Sequence, residues 1–202
     1  MTNEEFWVDE QHKSEERERT YRRIWPEYDY RQRHGRWPPK NWDPTEVPHE
    51  KRLCLLETRK RAPGKLYGYA TRWKTPCVDD RNRCVWPGAF ANFLQTESDC
   101  SLIVSHDWTR GVLARRSEGG LFLAEDRLGL YFEAKLPDSD LGNHVRAMAD
   151  ARPSFGMSFD YAIRESEFRD GVSELLRVDL KEISLLPDQE GAIAGARAWL
   201  QR

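Results

Sequence analysis

Residues 153–186 read PSFGMSFDYAIRESEFRDGVSELLRVDLKEISLL, and the fold class follows from how that stretch is punctuated. Apolar and polar residues alternate through 155–164 and again through 173–186, with Asp and Gly between the two runs. A strand turns successive side chains to opposite faces, so a period of two reads as sheet and the Asp and Gly as the break between strands. In the first run Phe155, Met157, Phe159 and Tyr161 share one face, and Ser154, Gly156, Ser158 and Asp160 the other. In the second, alternation puts Leu176, Val178, Leu180 and Glu182 on one face and Asp179, Lys181 and Ile183 on the other.

The same texture extends back to Lys51, where short runs broken by Gly, Pro and Asp predict further strands at 52–59, 66–73, 101–106, 111–116, 120–126 and 129–136. Two helices interrupt them. One follows Pro87, suited to a first helical turn, through AFANFLQT; the other runs from Ser139 as N-cap through DLGNHVRAMADA until Pro153 closes it. Residues 51–202 therefore read as one β-rich α+β domain built on an antiparallel sheet or barrel.

Residues 1–50 differ: they are charged and aromatic with no sustained apolar period. Segment 12–24 suits a short helix, after which Pro26, Pro38, Pro39, Pro44 and Pro48 predict an extended arm. Arg interleaved with Trp and Tyr suits single-stranded nucleic acid. Glu15, Glu16, Glu18, Glu27 and Asp29 among them favour instead a mixed-charge tail that docks on a protein partner or on its own domain.

The 32 basic and 34 acidic residues of this 202-residue chain leave a net charge of -2, which excludes a broad attraction to nucleic acid or an anionic membrane. No run approaches the roughly 18 apolar residues of a membrane span, and MTNEEFWVDEQ lacks the layout of a signal peptide, so a cytoplasmic protein is expected. Cys54, Cys77, Cys84 and Cys100 form neither a CxxC pair nor a zinc ribbon and read as reduced structural thiols. No phosphate loop, nucleophile elbow or HExxH pair occurs, and His144 reads as solvent-facing, so neither metal nor cofactor is expected.

Three residues could carry chemistry. SLIVSHDW (101–108) puts His106 at a strand end, on the face of Leu102 and Val104, where it is either a cleft base or a packed rim histidine. Ser158 faces a space cleared by Gly156; it is a nucleophile if a base takes its proton, and otherwise a strand hydroxyl. Glu182, in line with apolar residues, loses solvation unless it orients a histidine or meets an arginine.

In order along the chain stand LYGYATRW (66–73), VWPGAFANFL (85–94), LIVSHDW (102–108), LGLYFEAKLPDSDLGNHV (128–145), GMSFDY (156–161) and LKEISLLPD (180–188). Together they resemble the HK97-type prohead protease family of tailed phages and prophages, itself similar in fold to the herpesvirus assembly proteases. The resemblance implies an antiparallel β-barrel flanked by a few helices and a serine endopeptidase. It implies His106, in the HD pair, as the base, Ser158 as the nucleophile and Glu182, in the EVS-like strand, as the third member. Its substrates would be the scaffolding region of a phage major capsid protein and the protease itself, cleaved inside a procapsid where copies associate, with no membrane or specific nucleic acid involved.

The chain departs from the family pattern at Asp160, where glycine is common, and in LLPDQEGA (185–192), where a longer apolar stretch is usual. The first departure leaves Ser154, on the same strand face, as the alternative nucleophile. Competing readings are a catalytically inactive protease-fold assembly factor, and an OB-like module for single-stranded nucleic acid.

Overall fold

The structure, a computed structural model, describes residues 62–77, 82–126, 128–152, 154–169, 171–187, 191 and 193–201. The expected arm at 1–50, its helix at 12–24 and the strand expected at 52–59 lie outside these residues.

The chain runs β1 (Lys65–Arg72), β2 (Arg83–Val85), α1 (Ala91–Gln95), β3 (Ser101–Val104), a 3-10 turn (Trp108–Arg110), β4 (Ala114–Arg115), β5 (Leu121–Glu125), β6 (Gly129–Lys135), α2 (Asp140–Ala151), β7 (Phe155–Arg169), β8 (Val172–Leu186) and β9 (Arg197–Leu200). The nine strands of the described residues form one sheet in the order β4-β3-β8-β7-β9-β1-β6-β5, with β2 added on β8. The strands at the two ends of this order, β4 and β5, are joined by a tight turn in which the Gly120 N–H donates to the Arg115 carbonyl at 3.0 Å. The sheet thus curls back on itself into a nearly closed, barrel-like fold flanked by few helices.

Most pairings are antiparallel, as expected, but β2 and β3 both run parallel to β8. The 15-residue β8 has room for two short strands along one edge, and α1 carries the chain between them, so both enter in the same direction. Strands β2 and β9 have no counterpart in the sequence reading. A three-residue run such as RCV shows no period, and RAWL stands on the sheet because Gly68 of β1 admits it: a Cβ at Gly68 would lie 2.0 Å from the Arg197 carbonyl oxygen.

The second helix follows the sequence closely, since Ser139 caps α2 by accepting from the Gly142 N–H at 3.2 Å. The first begins later than expected. Gly88 is left-handed at φ 84°, so Pro87 opens a turn and the helix starts only at Ala91.

The core is filled by alternate residues of the paired strands, among them Leu102, Val104, Phe155, Met157, Ile183 and Leu185. One feature of β8 overturns the facing read from alternation. Asp160 pairs with Glu182 while Tyr161 pairs with Leu180, so Lys181 is an extra residue, a β-bulge. The bulge leaves Val178 and Leu180 in the core with Ile183 and Leu185, and turns Glu182 to the opposite face beside Ser184. Glu182 therefore does not share a face with Leu180, as the unbroken alternation had it.

Candidate active site

Strand β3 ends at Val104, and the next two residues, Ser105 (φ 54°) and His106 (φ 57°), are both left-handed. Non-glycine residues adopt this region at a cost of about 1–3 kcal/mol each and only where surroundings hold them. Here the Ser105 N–H donates to the Leu185 carbonyl at 2.8 Å and the His106 N–H to Ser184 Oγ at 2.8 Å. The reversal breaks the alternation of β3. His106 consequently leaves the face of Leu102 and Val104, contrary to the strand reading, and its ring lies against the face that carries Glu182 and Ser184.

The His106 Nδ1 and Glu182 Oε1 are 2.6 Å apart. Glu182 is 2 % exposed in its side chain while the imidazole is 44 % exposed, so the carboxylate is buried beneath a ring whose other side reaches solvent. Burial raises the Glu182 carboxyl above the ordinary carboxylate value, and the hydrogen bond and charge of His106 draw it part of the way back. A carboxylate at Nδ1 makes that nitrogen the donor and leaves Nε2 as the acceptor, the tautomer a general base requires.

Ser158 pairs directly with Ser184 across β7 and β8, so their side chains share a face and neighbour each other at about 4.5–5.5 Å between Cβ atoms. Ser158 and His106 both line one cavity of about 260 Å³. Among the described residues no hydrogen bond joins the Ser158 hydroxyl to the imidazole; such catalytic contacts commonly tighten only around a bound substrate. Ser154 lies elsewhere: its hydroxyl accepts from Arg197 Nη1 at 3.0 Å, and it does not line this cavity.

Asp160 sits opposite Glu182 and lines the cavity mouth. Its carboxylate is engaged away from Ser158, by Lys181 Nζ at 3.1 Å and by the Tyr161 N–H at 2.8 Å. Asp107, the second letter of the HD pair, accepts from the Thr109 N–H at 2.9 Å and so caps the 3-10 turn; those Thr109 bonds hold its carboxyl below the usual range.

Residues 55–193 match the family described as caudovirus prohead serine protease. The chain belongs to that family. The matched span contains His106, Ser158 and Glu182. Among solved structures, a Kaposi's sarcoma-associated herpesvirus (KSHV) protease in complex with a hexapeptide phosphonate inhibitor is similar at a TM-score of 0.46 and 11% identity, over 66% of this chain and 63% of that one. No curated protein matches.

Four further residues shape the site beside the three catalytic candidates. Ser184 is wholly buried and holds the His106 turn. Gly191 packs on the strand just ahead of Ser158, where a Cβ would lie 2.0 Å from the Met157 carbonyl oxygen. Arg83 and Tyr161 line the cavity, joined by an Arg83 Nη1 to Tyr161 hydroxyl bond of 3.3 Å. The aromatic rings behind β7 are continuous, with Tyr161 stacked on Phe159 at 4.9 Å and Phe159 edge-on to Phe90 at 5.9 Å, which stiffens the strand that bears Ser158.

The β9 ladder covers β7 only at Phe155 and Gly156, and the Met157 N–H still bonds the Ala196 carbonyl at 3.1 Å. Beyond Met157 no described strand pairs with that edge. His144 is exposed on α2, away from the cavity lining. Cys77, Cys84 and Cys100 are free thiols, and burial pushes Cys84 up to about 11 and Cys100 up to about 12, values at which a thiol is inert at neutral pH. Among the described residues no helix is long and apolar enough to cross a membrane.

Proposed function

We propose that this prohead protease is an active serine endopeptidase that cleaves the scaffolding region of a phage major capsid protein, and itself, inside the procapsid. The 2.6 Å contact between His106 and Glu182, at the rim of a cavity that Ser158 also lines, is the observation that carries the reading.

With Nδ1 committed to Glu182, Nε2 takes the Ser158 proton as Oγ bonds to the scissile carbonyl carbon. The carbonyl π electrons move to oxygen, and Glu182 stabilises the imidazolium that forms. Collapse of the tetrahedral intermediate breaks the C–N bond as Nε2 returns the proton to the leaving amine. Water then repeats the sequence on the acyl-enzyme, with His106 again the base, and frees Ser158. An extended substrate is accommodated by the β7 edge beyond Met157, which no described strand pairs and which offers backbone groups to a peptide laid beside it. Confinement in the procapsid supplies the effective concentration.

Co-expression with the neighbouring capsid gene tests this directly. The intact chain should release the N-terminal segment of the capsid protein, with Ser158→Ala and His106→Ala each slowing cleavage by on the order of 10⁴-fold or more. Glu182→Gln, which keeps the shape but not the charge, should cost roughly 10³–10⁴-fold. Capsid processing that persists in Ser158→Ala would refute the nucleophile. No processing by the intact chain would make it a non-cleaving assembly factor.

A further inference from the structure

We propose that Arg83 makes the cavity beside Ser158 select an acidic substrate side chain, so that cleavage occurs close to a glutamate or aspartate. This rests on the endopeptidase reading above.

Arg83 opens β2 and lines the cavity. Among the described residues the only hydrogen bond of its guanidinium is the 3.3 Å bond to the Tyr161 hydroxyl, and it makes no ion pair. Five other arginines of the domain are spent on acids. Arg110 pairs with Asp107, Arg115 with Asp99, Arg146 with Asp138, Arg164 with Asp179 and Arg169 with Glu167. Asp160, the acid of the cavity lining, is paired with Lys181, and Glu182 with His106. A guanidinium carries five donors in a planar fork that matches a carboxylate, so Arg83 has most of its capacity unspent.

The surroundings fit an acidic side chain rather than a free anion. Ala70, Val85, Leu175 and Ile193 wall the same cavity, giving methylene groups an apolar contact and lowering the local dielectric around any charge pair formed there. At about 260 Å³ the space lies below the range of small-molecule sites, roughly 300–1,000 Å³, and suits one side chain. Tyr161 stands on the Met157 and Phe159 face of β7, opposite to Ser158. The guanidinium held on its hydroxyl therefore approaches a bound peptide from the inner side of the open β7 edge. Side chains of an extended peptide alternate across that edge, so one enters the cavity while the scissile carbonyl stays with Ser158.

The test is a peptide-library cleavage profile of the full chain, Arg83→Gln and Arg83→Glu, with Ser158→Ala as a blank. In the wild type, peptides with Glu or Asp at one position near the scissile bond should be cut roughly 10–100-fold faster than their Gln or Asn counterparts. Arg83→Gln should bring that ratio close to one, and Arg83→Glu should turn the preference toward Lys at the same position. A residue with a merely structural role would slow all peptides together and leave the ratio intact; that result overturns the proposal. So does Ser158-dependent cleavage by the wild type with no acidic preference, which leaves the endopeptidase reading standing. Absence of Ser158-dependent cleavage in the wild type removes both.

Discussion

At the scale of the residue, the imidazole is aimed by backbone strain as much as by its carboxylate. Two successive left-handed residues, Ser105 and His106, reverse the chain at the end of β3, and the Ser184 hydroxyl holds the reversal through the His106 N–H at 2.8 Å. Replacing Ser184 by Ala removes the acceptor of the part-buried His106 N–H bond, at a cost of about 0.5–1.5 kcal/mol in stability. The ring then loses its fixed position over Glu182. Ser184→Ala should lower kcat roughly 10–100-fold with KM little changed, measured on a peptide substrate, because the serine orients the base without touching the substrate. An unaltered kcat would reduce Ser184 to packing.

The sequence made His106, Ser158 and Glu182 visible through motif order, since each alone is an ordinary residue of its kind. Their facing was less legible. Alternation assumes uninterrupted strands, and neither the left-handed pair at 105–106 nor the extra residue at Lys181 announces itself in composition. Ser184 escaped notice because a serine in a strand draws attention only once its pairing with Ser158 is known. Arg83 escaped for a similar reason, being the first residue of a strand too short to show a period.

At the scale of the element, the Lys181 bulge decides the site. On its C-terminal side β8 presents Glu182 and Ser184 to His106; on the other it returns Leu180 and Val178 to the core. A straight β8 would give one of these at the expense of the other. Deleting Lys181 should therefore force either Glu182 into the core or Leu180 and Val178 out of it, and abolish both cleavage and a cooperative unfolding transition. Lys181→Ala keeps the residue count and loses only an exposed ion pair with Asp160 at 3.1 Å, worth about 0–1 kcal/mol, so it should fold and cut. Circular dichroism melts of the two variants separate the bulge from the charge; a deletion variant that folded and cleaved normally would show that the register is not what fixes Glu182.

At the scale of the whole molecule, the sheet was legible because seven strands are long or regular enough to show a period, whereas its closure was not, since that depends on parallel additions to β8 and on the turn between two edge strands. One of those edges carries a pH-dependent weakness. Glu125, the last residue of β5, accepts from the Phe90 N–H at 2.9 Å, and its carboxyl is pushed up to about 7 by burial, against partial relief from the Phe90 and Gly88 backbone bonds. A folded value of about 7 against about 4.5 in the unfolded chain means that the folded state binds more protons between those two values. The stability this group contributes is thus complete below about pH 4.5 and is lost as pH rises through about 7. A shift of that size would amount to roughly 3 kcal/mol. Solvent still touches part of the residue, which brings the expected loss down to about 1–2 kcal/mol. Glu125→Gln removes the titration, so urea midpoints of variant and wild type should nearly coincide near pH 5 and diverge in favour of the variant near pH 8. A gap that stays constant with pH would mean that Glu125 is ionised throughout, and that the β5 edge is held to the Gly88–Phe90 turn by a charge.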